Sequence, residues 1–132
     1  MQGQRIASFV ANLDNAIRTN STVNPIRYAV ATYDDQRSTG EKWQYYTAAD
    51  LVSSSLQFEV GKGYTASRET DGKLHFTGSL TTGNHNVAVN GSSWRALGNP
   101  YTAYYPVNSP VGETFLSTNV GELDPVYQAV YT

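Results

Sequence analysis

"IRYAVATYDD", residues Ile26 to Asp35, is the stretch on which the reading of this chain turns. Tyr28, Val30 and Thr32 alternate with Ala29, Ala31 and Tyr33, the twofold period of a β-strand. Just before it the period is helical. In "RIASFVANLDNAIR", Ile6, Phe9, Val10, Leu13 and Ile17 fall on one apolar stripe, which predicts an amphipathic helix over about 5–18. Arg18 then sits at the end favoured by the helix dipole, and "TNSTVNP" stops the helix.

Downstream of Ile26 the twofold pattern continues. "DDQRSTGE" is a turn, "KWQYYT" a returning strand and "AADLVSS" a connection of one helical turn. "SLQFEV" sets Leu56, Phe58 and Val60 on one face, and "TASRE" leads to a hairpin signal at Asp71-Gly72. "KLHFTGSL" places Leu74 and Phe76 inward and His75 and Thr77 outward, and "NVAVN" buries Val87 and Val89. A proline-bearing tail follows, with a short helix around Phe115 and Leu116, and "DPVYQAVYT" closes as a strand. Short strands at roughly 8–12-residue spacing predict a mostly β fold. The expected architecture is an antiparallel β-sandwich, or a barrel-like closure, with one N-terminal amphipathic helix, in a single domain spanning 1–132. The abrupt stop at Thr132 is read as the cut end of a longer, multi-domain chain.

Composition narrows the function. The chain has 132 residues, enough to bury roughly two thirds of its unfolded surface without cross-links. Hydrophobic residues make up 39% and charged residues 15%, which argues against charged disorder and against a coiled coil. Nine Lys and Arg against eleven Asp and Glu, scattered singly, leave no basic face for nucleic acid. Without cysteine there is neither a disulfide framework nor a thiolate metal site. No run approaches the roughly 20 apolar residues of a membrane helix, and "MQGQRIASFV" lacks the form of a signal peptide. An export signal, if the protein has one, is expected upstream or already removed. Ten Tyr, two Trp and four Phe amid Thr, Ser, Asn and Gly suit an extracellular β-rich domain.

Candidate chemistry is sparse. "GKGY", Gly61 to Tyr64, lacks the spacing and the helix of a phosphate loop, and reads as a kink that admits another backbone. His75 and His85 have neither the spacing of a metal motif nor a nucleophile elbow nearby. Asp34 and Asp35 lie in a turn, where a structural calcium is conceivable without EF-hand spacing; no cofactor or metal is expected. Glu122 and Asp124 carry no sign of an acid pair. Trp43 and Trp94 are expected in the core. Tyr46, Tyr104 and Tyr105 are the candidate ligand-binding residues, because exposed rings stack on the apolar faces of sugars.

The order "GKGY … LHFTGSLTTGNHNVAVN … SSWRALGNPY … FLSTN … LDPVYQAVYT" resembles a β-rich module repeated in large secreted and cell-surface proteins of Bacteroidota. That module often precedes the C-terminal sorting domain read by the type IX secretion system. Gly61, Gly63 and Tyr64 match its G-x-G-Y element, and Phe76, Gly78, Leu80 and Gly83 match its F-x-G-x-L-x-x-G element. Trp94, Leu97, Gly98, Asn99, Pro100 and Tyr101 match the W-x-L-x-G-N-P-Y strand and turn. The likeness runs over roughly residues 25 to 131. The chain departs from it by stopping at "VYT" and by opening on a helix, which suggests parts of two neighbouring units and an exposed strand edge.

The resemblance implies a secreted or cell-surface location and a non-catalytic module of an adhesin or of a polymer-degrading enzyme. It implies no catalytic residues. Expected partners are neighbouring domains of the same polypeptide, and also a polysaccharide or another copy through the strand edge; neither nucleic acid nor membrane insertion is expected. On this reading "WRALGNPY" is a structural strand and corner, its turn forced by Gly98 and Pro100 and capped by Asn99.

Overall fold

The computed structural model describes residues 3–38, 40–52, 55–80, 82–89 and 94–130. Its centre is a four-stranded antiparallel sheet. Strand β2 (Arg27–Tyr33), a strand as the alternation in "IRYAVATYDD" predicts, is the middle strand. Strand β3 (Trp43–Thr47) pairs along one side of it, with Tyr33 opposite Trp43 and Ala31 opposite Tyr45. The other side is shared by β1 (Thr19–Asn20), opposite Arg27 and Tyr28, and β4 (Tyr64–Ala66), opposite Val30 to Thr32.

One sheet face carries the core. Ile6, Phe9, Ile17 and Val30 are buried together, with Tyr28, Tyr46, Phe58, Tyr64 and Leu74 packed against them. Phe9 is the hub: its ring stacks on Phe76 at 4.7 Å and meets the edge of Phe58 at 5.1 Å. The other face, by alternation from Ala31, bears Tyr33, Trp43, Tyr45 and Thr65. Tyr33 and Trp43 meet edge to face at 5.3 Å on this side.

The N-terminal helix is shorter than its stripe predicts. Helix α1 runs only over Ile6–Ala11. Asn12 turns extended, its side chain accepts a hydrogen bond from the Asp14 amide, and a 3-10 turn follows over Leu13–Asn15. Ala16 adopts a left-handed backbone at φ 43°. Leu13 is therefore 91% exposed, off the stripe, while Ile17 reaches the core from an extended segment bridged to Arg68. Arg18 caps no helix; its carbonyl accepts the Ala29 amide at the entry to β1. Local capping by Asn12 outcompetes continuation of the helix.

Two other short elements lie where the sequence places them. Helix α2 (Ala48–Leu51) is closed by a capping box between Thr47 and Asp50, and α3 (Phe115–Thr118) by the same device between Thr114 and Ser117.

Several expected strands form no ladder among the described residues. Leu56 and Phe58 do pack on the core, yet the segment only bridges Arg5 to Gln57. Leu74 and Phe76 likewise face the core cluster, but side-chain amides hold this segment instead of a neighbouring strand. Asn15 is fully buried; its Nδ2 donates to His75 O and its Oδ1 accepts from His75 N at 2.6 Å. Gln4 Oε1 accepts from Thr77 N at 2.9 Å. Val87 and Val89 are exposed, not buried, and residues 124–130 form no strand. The stop at Thr132 lies outside the described residues. A second sheet is not formed by the described residues, so the shared ground with the expectation is a β-rich antiparallel sheet with few helices.

Candidate functional site

Two of the glycine-bearing segments meet. Gly63 N donates to Ala96 O and Gly98 N to Gly61 O, both at 2.9 Å, around an antiparallel bridge of Lys62 to Leu97. The approach is closer than side chains allow. A Cβ on Gly63 would stand 2.8 Å from the Ala96 carbonyl carbon, and one on Gly98 2.7 Å from Lys62 O. Gly61 has φ +78°, a left-handed backbone, and a Cβ there would overlap Val87. After the junction, Asn99 closes the corner: Oδ1 accepts from Tyr101 N and Nδ2 donates to Ala103 O.

The tryptophans are not core residues. Trp94 is 54% exposed and Trp43 40% exposed. The segment at 94–98 docks through its backbone, and the small Ala96 takes the inner position against Gly63. Arg95 reaches instead to the buried Asp35, forming an ion pair that ties this segment to the β2–β3 corner. Gln36 Nε2 donates to the same carboxylate, and Lys42 Nζ to the Asp35 carbonyl. Asp34 Oδ1 accepts from Gln36 N. Among the described residues no three metal-ligating side chains come together.

The junction lines an open cleft of about 200 Å³, together with Gln4, Phe58, Tyr64 and Phe76. Phe76 is 44% exposed although one side of its ring covers Phe9. Tyr64 Oη accepts from Glu59 N at 3.0 Å, and its ring meets Phe58 edge to face at 4.9 Å. Burial raises the pKa of the Tyr64 hydroxyl. Glu59 pairs with Lys62 at 2.9 Å on the rim. His85 Nε2 lies 3.1 Å from Val60 O, beside a second depression.

The three candidate tyrosines are not brought together. Tyr46 packs on the core, and its hydroxyl pKa is pushed up to about 12, first by burial, then by Tyr64, Glu59 and Asp50. Tyr104 is 88% exposed, and Tyr105 is half-buried edge to face with Tyr101 at 6.4 Å. Among the described residues no ring contact joins Tyr46 to either of them. Of the motif residues, Tyr64 and Phe76 share the cleft with Gly61 and Gly98, while Gly78 is exposed outside it.

Sequence reasoning missed Gln4, Asn15 and the Asp35–Arg95 pair. A polar residue that replaces a strand neighbour leaves no periodic trace, and the pair spans 60 residues. No family model matches the chain, and comparisons with curated proteins and with solved structures likewise found no match.

Proposed function

We propose that this chain is a non-catalytic structural or interaction module of a secreted or cell-surface bacterial protein, either an adhesin or an accessory unit of a polymer-degrading enzyme. The observation that carries the reading is the glycine junction. Two of the segments on which the resemblance rests meet backbone to backbone, so Gly63 and Gly98 serve close packing. The chemistry-bearing side chains support the same reading: Asp35 holds Arg95, Asp50 caps a helix, Glu59 holds Lys62, and Asp124 accepts the Val126 and Tyr127 amides.

The second sheet face supports the finer architecture, a sandwich. Tyr33, Trp43 and Tyr45 form an aromatic layer there that suits a second packed layer. The edge of β3 supports an assembly role. Asp34 N bonds Lys42 O, so alternate pairing turns the backbone groups of Trp43 and Tyr45 away from β2. That edge carries no charge or proline, the usual guards against pairing. Its partner is a neighbouring stretch of the same polypeptide or another copy.

Surface proteolysis of intact cells carrying the parent protein, tagged at this module, tests the location. The tag is expected to be lost before lysis; a tag protected until lysis contradicts the reading. Turnover of any polysaccharide by the isolated chain contradicts its non-catalytic half.

A further inference from the structure

Beyond its scaffold role, the cleft beside the glycine junction has the make-up of a ligand site. We propose that it binds a single neutral sugar ring, with the apolar face of the sugar on Phe76 and its hydroxyls on Gln4, Tyr64 and Glu59. At about 200 Å³ the cleft is smaller than the roughly 300–1,000 Å³ of drug-sized sites, which limits the ligand to about one ring.

Its polar groups select the chemistry. Gln4 is 8% exposed and lines the cleft; its Oε1 is taken by Thr77, while its Nε2 donates to no described residue. The Tyr64 oxygen accepts from Glu59 N, and its O–H donates to no described residue. An apolar ligand would cover both donors without pairing them. An anion is disfavoured, because Lys62, the cation of the cleft, already holds Glu59 at 2.9 Å and the pair is neutral. A polyhydroxylated ring with one C–H face satisfies the donors, the carboxylate and the half-exposed Phe76 ring together. The tyrosines of the 104–105 loop are no part of this site.

Amide NMR titration of the whole chain with the methyl glycosides of glucose, galactose, mannose, fucose and N-acetylglucosamine tests the proposal, with sodium phosphate and sodium acetate as anion probes. At least one glycoside is expected to give saturable shifts at the Gly61 and Gly98 amides and the Gln4 side chain. Its Kd is expected to rise about tenfold in Tyr64→Phe and in Glu59→Gln, and to stay unchanged in Tyr104→Ala/Tyr105→Ala. Both cleft variants must keep a dispersed spectrum; if Tyr64→Phe does not, the exposed Glu59→Gln decides. The proposal is overturned if no glycoside gives saturable shifts there, if an anion does so instead, or if the folded cleft variants bind like the parent. None of these results bears on where the parent protein resides, so this test and the surface proteolysis fail independently.

Discussion

Asn15 shows how much one side chain can do in this chain. Its amide bonds Phe9 O at 2.8 Å and both backbone groups of His75, acting as a one-residue substitute for a strand. Asn15→Ala strands those buried groups, and urea unfolding is expected to show a loss of about 2–4 kcal/mol. Gly63 matters for the opposite reason, because it contributes nothing but space. Gly63→Ala drives a methyl into the Ala96 carbonyl and is expected to cost about 1–3 kcal/mol, whereas Gly121→Ala, with open space around it, stays near neutral. Tyr46 makes the stability depend on alkaline pH. Its folded pKa of about 12 lies above the ordinary 10.0, so its contribution is complete below pH 10 and is lost as pH rises from 10 towards 12. Urea midpoints are expected to fall across that window, and to fall less in Tyr46→Phe; an equal fall in both contradicts the assignment.

At the scale of elements, "SLQFEV" was legible because burial on one face imposes a period of two, whereas in β2 the side chains alternate but Val30, Ala31 and Thr32 are buried in succession. The short helices at 48–51 and 115–118 lie where the sequence suggested a helical turn, but their capping boxes emerged only from the structure. Thr47→Ala removes one capping box and is expected to lower stability by about 1 kcal/mol in the same unfolding assay. What the period misjudged is equally physical. The stripe from Ile6 to Ile17 continues in sequence, but Asn12 prefers its local bond to the Asp14 amide, and the helix ends at Ala11. "KLHFTGSL" has the pattern of a strand and faces the core like one, yet its backbone bonds go to Asn15 and Gln4. In that segment the pattern reports which side chains turn inward and leaves open what pairs with the backbone, whereas at Val87 and Val89 it misjudged burial as well.

Across the molecule, burial is uneven. The buried apolar residues Ile6, Phe9, Ile17, Val30 and Ala31 all precede residue 32, and the partly buried ones packed on them end at Leu74. Beyond that point Leu80, Trp94, Val111, Val120, Val126 and Tyr127 are all more than half exposed. This exposed apolar surface fits the proposal of an interaction module. The "GKGY" and "WRALGNPY" segments join the two regions. Of the candidate site, the junction glycines and the rings of Tyr64 and Phe76 were marked by the motif pattern, but their meeting in one cleft with Gln4 is a property of the folded chain. The junction is a packed backbone seam, and native-state hydrogen exchange at Gly63 and Gly98 probes it. Both amides donate across the seam and are expected to exchange as slowly as those of β2, and to speed up together in Gly98→Ala, whose Cβ would meet Lys62 O. Exchange at the rate of an open loop, with β2 still protected, would contradict the account.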